Sequence, residues 1–273
     1  MNITRPIIQP ICRALTEGGG GSAPAPSLTD QLRTALFSNG EMGGMWDALR
    51  ADALWQDTAG TTPAGVLDPV GRMDDLSGNG KHAVQAASAK RPQRIAAGLL
   101  FDGIDDKLVT PSIDLSAAQC VIAAALFEPL STTANYPPYF THSGLPWQAN
   151  PSIAFFGRSS SGIVVATRAD YMSAGKELAV VLAQQQMVAV SRRNAPALAS
   201  ALYGRWQGAN FVATQGSIPA TALPNTPVYM GHDPLNWGYN ANYKLKRALI
   251  AAVASPPDAT LIDLVDAWLG EVA

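Results

Sequence analysis

Charge is what this chain has least of. Asp, Glu, Lys and Arg make up 15% of its 273 residues, against roughly a quarter in ordinary soluble domains, which fits a surface partly covered by other subunits. The 19 basic and 21 acidic residues nearly cancel, to a formal −2, and no basic stripe appears. Nucleic acid, which is held through clustered Lys and Arg, is therefore not an expected partner. Cysteine is scarce too: Cys12 lies in an N-terminal tail and Cys120 enters an apolar run, so no disulfide is expected and synthesis in a reducing compartment is. The three histidines, His82, His142 and His232, are far apart in sequence, and none has a second ligand at metal spacing. Neither zinc nor any other metal or cofactor is expected. The longest uninterrupted apolar run, Val121 to Phe127, is too short for a membrane helix. Prolines 6 and 10 break up residues 1–15, which do not read as a signal peptide.

Carboxylate pairs are also missing. Glycoside hydrolysis usually needs two carboxyl groups across a cleft, and strand alternation would show such a pair two or four residues apart. Glu17, Glu41, Glu128, Glu177 and Glu271 have no acidic neighbour at that spacing, and no Gly-x-Ser-x-Gly occurs. On those grounds no catalytic residue is named and the chain is expected not to be an enzyme. Asp74-Asp75 and the trio Asp102, Asp105 and Asp106 sit among Gly and Asn, where aspartate caps turns. A cation site would require their oxygens to converge in space.

What is present falls into three parts. Residues 1–26 combine an apolar segment bearing Ile3, Ile7, Ile8 and Ile11 with a Gly-rich, then Pro-rich linker. The prolines forbid helix, the linker has no reason to fold, and the four isoleucines are expected to dock on a partner. Residues 27–39 read as a short helix opened by a capping box at Ser27-Leu28-Thr29-Asp30. It could lie on its own domain or pack with copies in a trimer. Residues 40–273 form the main domain. Its first part, Gly43 to Gly71, is turn-rich, and Trp46 and Trp55 are read as plugging the edge of the core.

Beyond Phe101, short strand-like segments alternate with Gly, Pro and Asn, the pattern of an all-β antiparallel sandwich or barrel. Val121–Phe127 and Ala179–Leu182 suit inner strands, and Leu198–Tyr203 is assigned to a strand. Tyr203 to Gly208 suits a hairpin on an exposed edge. A C-terminal helix follows Ser255-Pro256-Pro257-Asp258, with Pro in its first turn. It is expected to seal one end of the sandwich, with Asp258, Asp263 and Asp266 as a solvated face. Two loops mix aromatic rings with amides and carboxylates, the chemistry that holds sugars and also fills protein interfaces. In His232 to Tyr243 the candidate ligand residues are Asp233, Asn236, Trp237, Tyr239 and Asn240. The second loop is Asn135 to Tyr139 with Trp147.

Several pieces recur in a familiar order: Leu54 to Pro63, Pro69-Val70-Gly71, Leu76 to Ala83, Arg91-Pro92, Phe101 to Asp106 and the closing helix through Trp268-Leu269. Together they resemble the concanavalin A-like (laminin-G-like) jelly-roll proteins of tailed bacteriophage virions. That resemblance implies a jelly-roll sandwich of two antiparallel sheets flanked by a short N-terminal and a C-terminal helix. It also implies a virion structural protein, in a tail, baseplate, fibre or capsid decoration, made in the host cytoplasm. Its arm would join it to other virion proteins, as a homo-oligomer such as a trimer, to attach to the host surface or stabilise the particle. A glycan-binding adhesin is the second reading and a glycan-degrading enzyme the third.

Overall fold

The computed structural model describes residues 24–131, 137–142, 153–158, 162–167, 174–179, 182–216, 218, 222–232 and 240–271. The isoleucines 3, 7, 8 and 11 lie outside these residues.

Two antiparallel sheets face each other, and helices cover the outside of one of them. The covered sheet runs Ala209–Val212 (β16), Leu202–Trp206 (β15), Gln185–Arg192 (β14), Cys120–Pro129 (β9), Asn242–Val253 (β20), Gly98–Asp102 (β6) and Gln93–Ile95 (β5), with Gly43–Asp47 (β1) also paired to β20. The second sheet runs Gln215–Gly216 (β17), Ala174–Ala179 (β13), Gly162–Thr167 (β12), Ile153–Arg158 (β11), Pro138–His142 (β10) and Val228–Met230 (β19). It continues through Leu108–Val109 (β7), Ala83–Val84 (β4), Arg72–Met73 (β3) and Leu54–Trp55 (β2). Ile113–Asp114 (β8) and Asn225–Thr226 (β18) make a separate pair. The expected all-β sandwich with two antiparallel sheets and terminal helices is what the chain forms.

The central strands are apolar all along because both of their faces are buried. In β9, Val121, Ala123, Ala125 and Phe127 enter the core between the sheets, while Ile122, Ala124 and Leu126 face the helices. Strand β20 does the same with one irregularity, a register shift between Leu245 and Arg247. Tyr243 and Leu245 point into the core before it, Ala248 and Ile250 after it. A bulge that moves the alternation by one residue thus turns Arg247 toward the helices instead of the core.

Leu28–Phe37 (α1) and Ala259–Gly270 (α3) form the outer layer. Ser27 caps α1, its Oγ accepting from the Asp30 N–H at 3.1 Å, and Leu32 and Leu36 are buried with Val265, Trp268 and Leu269 of α3. The apolar stripe of α1 is therefore used within its own chain. Three expectations for α3 change. Asp258 is its N-cap, accepting from the Leu261 N–H at 2.9 Å, so both prolines precede the helix. The helix lies across a sheet face and seals no end. Asp258 and Asp263 are solvated as expected, but Asp266 is only 15% exposed, and Asp263 and Asp266 both reach Arg205 of β15, at 2.5 and 3.4 Å.

Strand β1 corrects the reading of its region as turns. Every residue in it is buried, and Trp46 is fully inside the core. The Gly-Gly pair is required by contact: a Cβ on Gly43 would sit 2.1 Å from the Ile250 carbonyl oxygen, and one on Gly44 would meet the Trp46 ring at 2.4 Å. The segment 75–82 clamps this strand. Asp75 accepts from the amides of Met45, Ser77 and Lys81 and from the Ser77 hydroxyl, all at 2.8–2.9 Å. The Trp46 indole donates to the Lys81 carbonyl at 2.9 Å. Leu198–Ala201 is a helical turn (α2), with the strand beginning at Leu202.

The Arg247 guanidinium is 3% exposed and donates to Asp47, itself 1% exposed, at 3.0 Å. It also donates to the Trp268 carbonyl and stands 5.3 Å from the centre of the Trp268 ring. Replacing one partner strands the other charge in a dry layer. Arg247→Met should cost about 3–5 kcal/mol, read as a lower urea midpoint, whereas the Asp47→Leu/Arg247→Met double variant should recover most of the loss.

Candidate functional site

Strand directions decide which loops meet. Asp102 at the end of β6 pairs with Asn242 at the start of β20. β10 and β19 are antiparallel neighbours, so the chain enters β10 at the end where it leaves β19. Residues 103–107, 130–131, 137, 231–232 and 240–241 therefore lie together at one end of the sandwich, beside the Asp trio.

The base of the 231–241 segment is closed by a bridge between His232 and Asn240 and by the Ala241 N–H donating to the Gly231 carbonyl at 3.0 Å. Gly231 has φ +87°, and a Cβ there would lie 2.3 Å from the Phe101 ring, so only glycine lets the chain turn over that ring. Asn240 is the one candidate ligand residue among those described. Its Oδ1 lies 2.5 Å from His232 Nδ1, which places the imidazole proton on Nδ1. Its Nδ2 donates to the Ile104 carbonyl at the tip of the Asp loop. Asp233, Asn236, Trp237 and Tyr239 lie outside the described residues, as do Asn135, Tyr136 and Trp147. Tyr139 and Tyr243 are core residues, stacked on Phe127 and Phe101 at 4.7 and 4.6 Å.

The Asp loop uses its carboxylates in the turn and also gathers them. Asp102 Oδ1 accepts from the amides of Ile104 and Asp105 at 2.8 and 3.3 Å, and Asp106 Oδ2 from the Asp102 amide at 3.0 Å. Asp105 lies 3.6 Å from the Lys90 ammonium. One oxygen from each of Asp102, Asp105 and Asp106 falls within 4.8 Å of the others. Burial pushes the Asp106 carboxyl up to about 6; the Asp102 amide opposes this, and the charges of Asp102 and Asp105 add to it. Beside this pocket of oxygens, Ile104 is 71% exposed. Three gathered carboxyl groups, with an asparagine amide and an apolar tip, offer acceptors, a donor and an apolar contact in one place.

No protein-family model and no curated protein matches this sequence. Solved structures do share its fold. A GH54 α-L-arabinofuranosidase aligns with a TM-score of 0.54 at 12% identity, over 74% of this chain and 50% of the other. An arabinofuranosidase complexed with arabinofuranosyl-α-1,2-xylobiose gives 0.52 at 12% identity, with the same coverage. The Trypanosoma rangeli sialidase in complex with sialic acid gives 0.53 at 10% identity, over 82% of this chain and 32% of the sialidase. The chain thus spans half the length of these arabinofuranosidases and about a third of the sialidase. At such identities the likeness establishes the β-sandwich. It also overturns the expectation that the chain is no enzyme, because the fold occurs in glycoside hydrolases and sialidases.

The raised Asp106 carboxyl has a linkage consequence. Its folded-state value, near 6, exceeds the ordinary 3.8, so its contribution to stability is complete below about pH 4 and is lost as pH rises through 6. Asp106→Asn removes that loss. Relative to wild type, the variant's urea midpoint should climb between pH 4 and 7 and then level off.

Proposed function

We propose that this chain recognises glycans, at the end of the sandwich where the Asp102–Asp106 loop meets the segment closed by His232 and Asn240. The observation that carries the reading is the hydrogen bond from the Asn240 amide to the Ile104 carbonyl. It joins a carboxylate-rich turn to the base of a segment whose sequence includes Trp237 and Tyr239. Saccharides need such a mixture, because their hydroxyls require donors and acceptors while their C–H faces lie on rings. The glycan-acting proteins that share the fold add support. The recognition role fits an adhesin better than a purely structural component. A glycan array should give discrete binders, with Trp237→Ala and Asp102→Asn each weakening binding about tenfold, the scale of one charge-assisted hydrogen bond or ring contact. Unchanged binding in both variants would move the site elsewhere.

A second reading, hydrolysis, is favoured by one observation: burial raises the Asp106 carboxyl to about 6 at a point where the oxygens of two further carboxyl groups gather, the kind of tuning a general acid uses. Incubation with the polysaccharides that bind, followed by an assay for new reducing ends abolished by Asp106→Asn, tests it.

Carriage on a virion through residues 1–26 belongs to the same proposal and is supported by the sequence of the arm. A chain lacking residues 1–26 should fold with unchanged midpoint and fail to join particles; incorporation at normal levels would sink the docking role.

A further inference from the structure

The outer face of the second sheet carries a built polar site away from the loop end. Trp55, Arg72, Val84, Val109 and Tyr229 are consecutive register partners on β2, β3, β4, β7 and β19, and all five are partly exposed. They make a strip about 19 Å long at the usual strand spacing. At its Trp55 end stands a network centred on Asp74. This carboxylate accepts from Arg72 Nε at 2.6 Å and from the Trp55 indole at 2.7 Å. His82 Nδ1 accepts from the Asp75 N–H at 3.2 Å and lies 3.0 Å from Asp74 Oδ1. With its lone pair engaged by that amide, Nδ1 is the acceptor and the hydrogen of the neutral ring is on Nε2. Arg72 is fixed further by donating from Nη1 to the Ala59 carbonyl at 3.1 Å, and Gly60 lies against its guanidinium.

What remains is a pair of donors side by side: Arg72 Nη2 and His82 Nε2, 3.3 Å apart on side chains 21% and 34% exposed. Resting on the glycan-recognition reading, we infer that Arg72 and His82 form a carboxylate clamp for an acidic saccharide, such as a uronate, whose chain runs along the strip toward Tyr229. An incoming carboxylate takes one hydrogen from Arg72 Nη2 and the other from Nε2 of the His82 ring. Asp74 and the Ala59 carbonyl hold the guanidinium and the Asp75 amide holds the imidazole, so both donors are oriented before the ligand arrives. Val84, Val109 and the Tyr229 ring supply the apolar contact for sugar faces, which favours a saccharide over an acidic peptide.

The test titrates the full chain with a glucuronate-terminated oligosaccharide and its neutral glucose counterpart. Tight, saturable binding of the uronate, weakened tenfold or more by Arg72→Gln and partly restored in Arg72→Lys, is expected, with the neutral sugar unaffected by either variant. Independently of any variant, the His82 ring resonances should shift on saturation while those of His142 and His232 stay in place. Equal affinity for the two sugars, still His82 resonances, or equal competition by a poly-glutamate peptide would overturn the clamp. Loss of neutral-glycan binding in Trp237→Ala, alongside any of these, leaves the loop site standing and removes the clamp alone.

Discussion

The buried pair Arg247–Asp47 is the constraint on which the layered arrangement depends. Two charges in a dry layer are tolerable only when each meets the other at hydrogen-bond distance and their remaining sites are filled. Meeting that condition fixes three elements at once: β20 contributes Arg247, its register partner on β1 contributes Asp47, and the end of α3 contributes the Trp268 carbonyl and ring. The bulge after Leu245 has the same origin, since an unbroken alternation would aim the guanidinium into the apolar core between the sheets. Glu271, 3.6 Å from Arg247, adds a fourth contact at the point where α3 stops.

Much of the sandwich was legible in the sequence because its central strands obey a simple rule. A strand buried on both faces must be apolar throughout, and Val121–Phe127 is. The caps were legible for a similar local reason: Ser27 and Asp258 each satisfy an amide of the following turn. Where the reading failed, the deciding partner lay far along the chain. Gly43-Gly44 looked like a turn because its true reason, close approach to Ile250 and to the Trp46 ring, is more than two hundred residues away in one case and a tertiary choice of rotamer in the other. Asp266 looked solvated because nothing local announces Arg205. Leu198–Ala201 has apolar content that suits strand or helix equally, and its helical turn is set by the strand edge it leads into.

The candidate site shows the same division. That Asp102 to Asp106 would be turn residues follows from their neighbours, and the amides they accept confirm it. That this turn would touch the segment ending in Asn240 depends on β6 and β20 being partners, which no local pattern states. Tyr139 and Tyr243 were drawn from loops rich in polar residues, yet each ring is directed inward by strand alternation, so composition of a loop says little about the residues at its edges. Asp74 and His82, eight residues apart, are brought together across the β3–β4 turn, which the sequence marks only as a cluster of Gly, Asn and Ser.

Helices on one sheet and none described over the other give the molecule a back and a front. The chain leaves toward its N-terminus from α1, on the back, and the strip from Trp55 to Tyr229 lies on the front, with both sheets between them. The sidedness that lets α1 and α3 shield the Arg247 pair leaves the strip from Trp55 to Tyr229 on a face that no described helix covers.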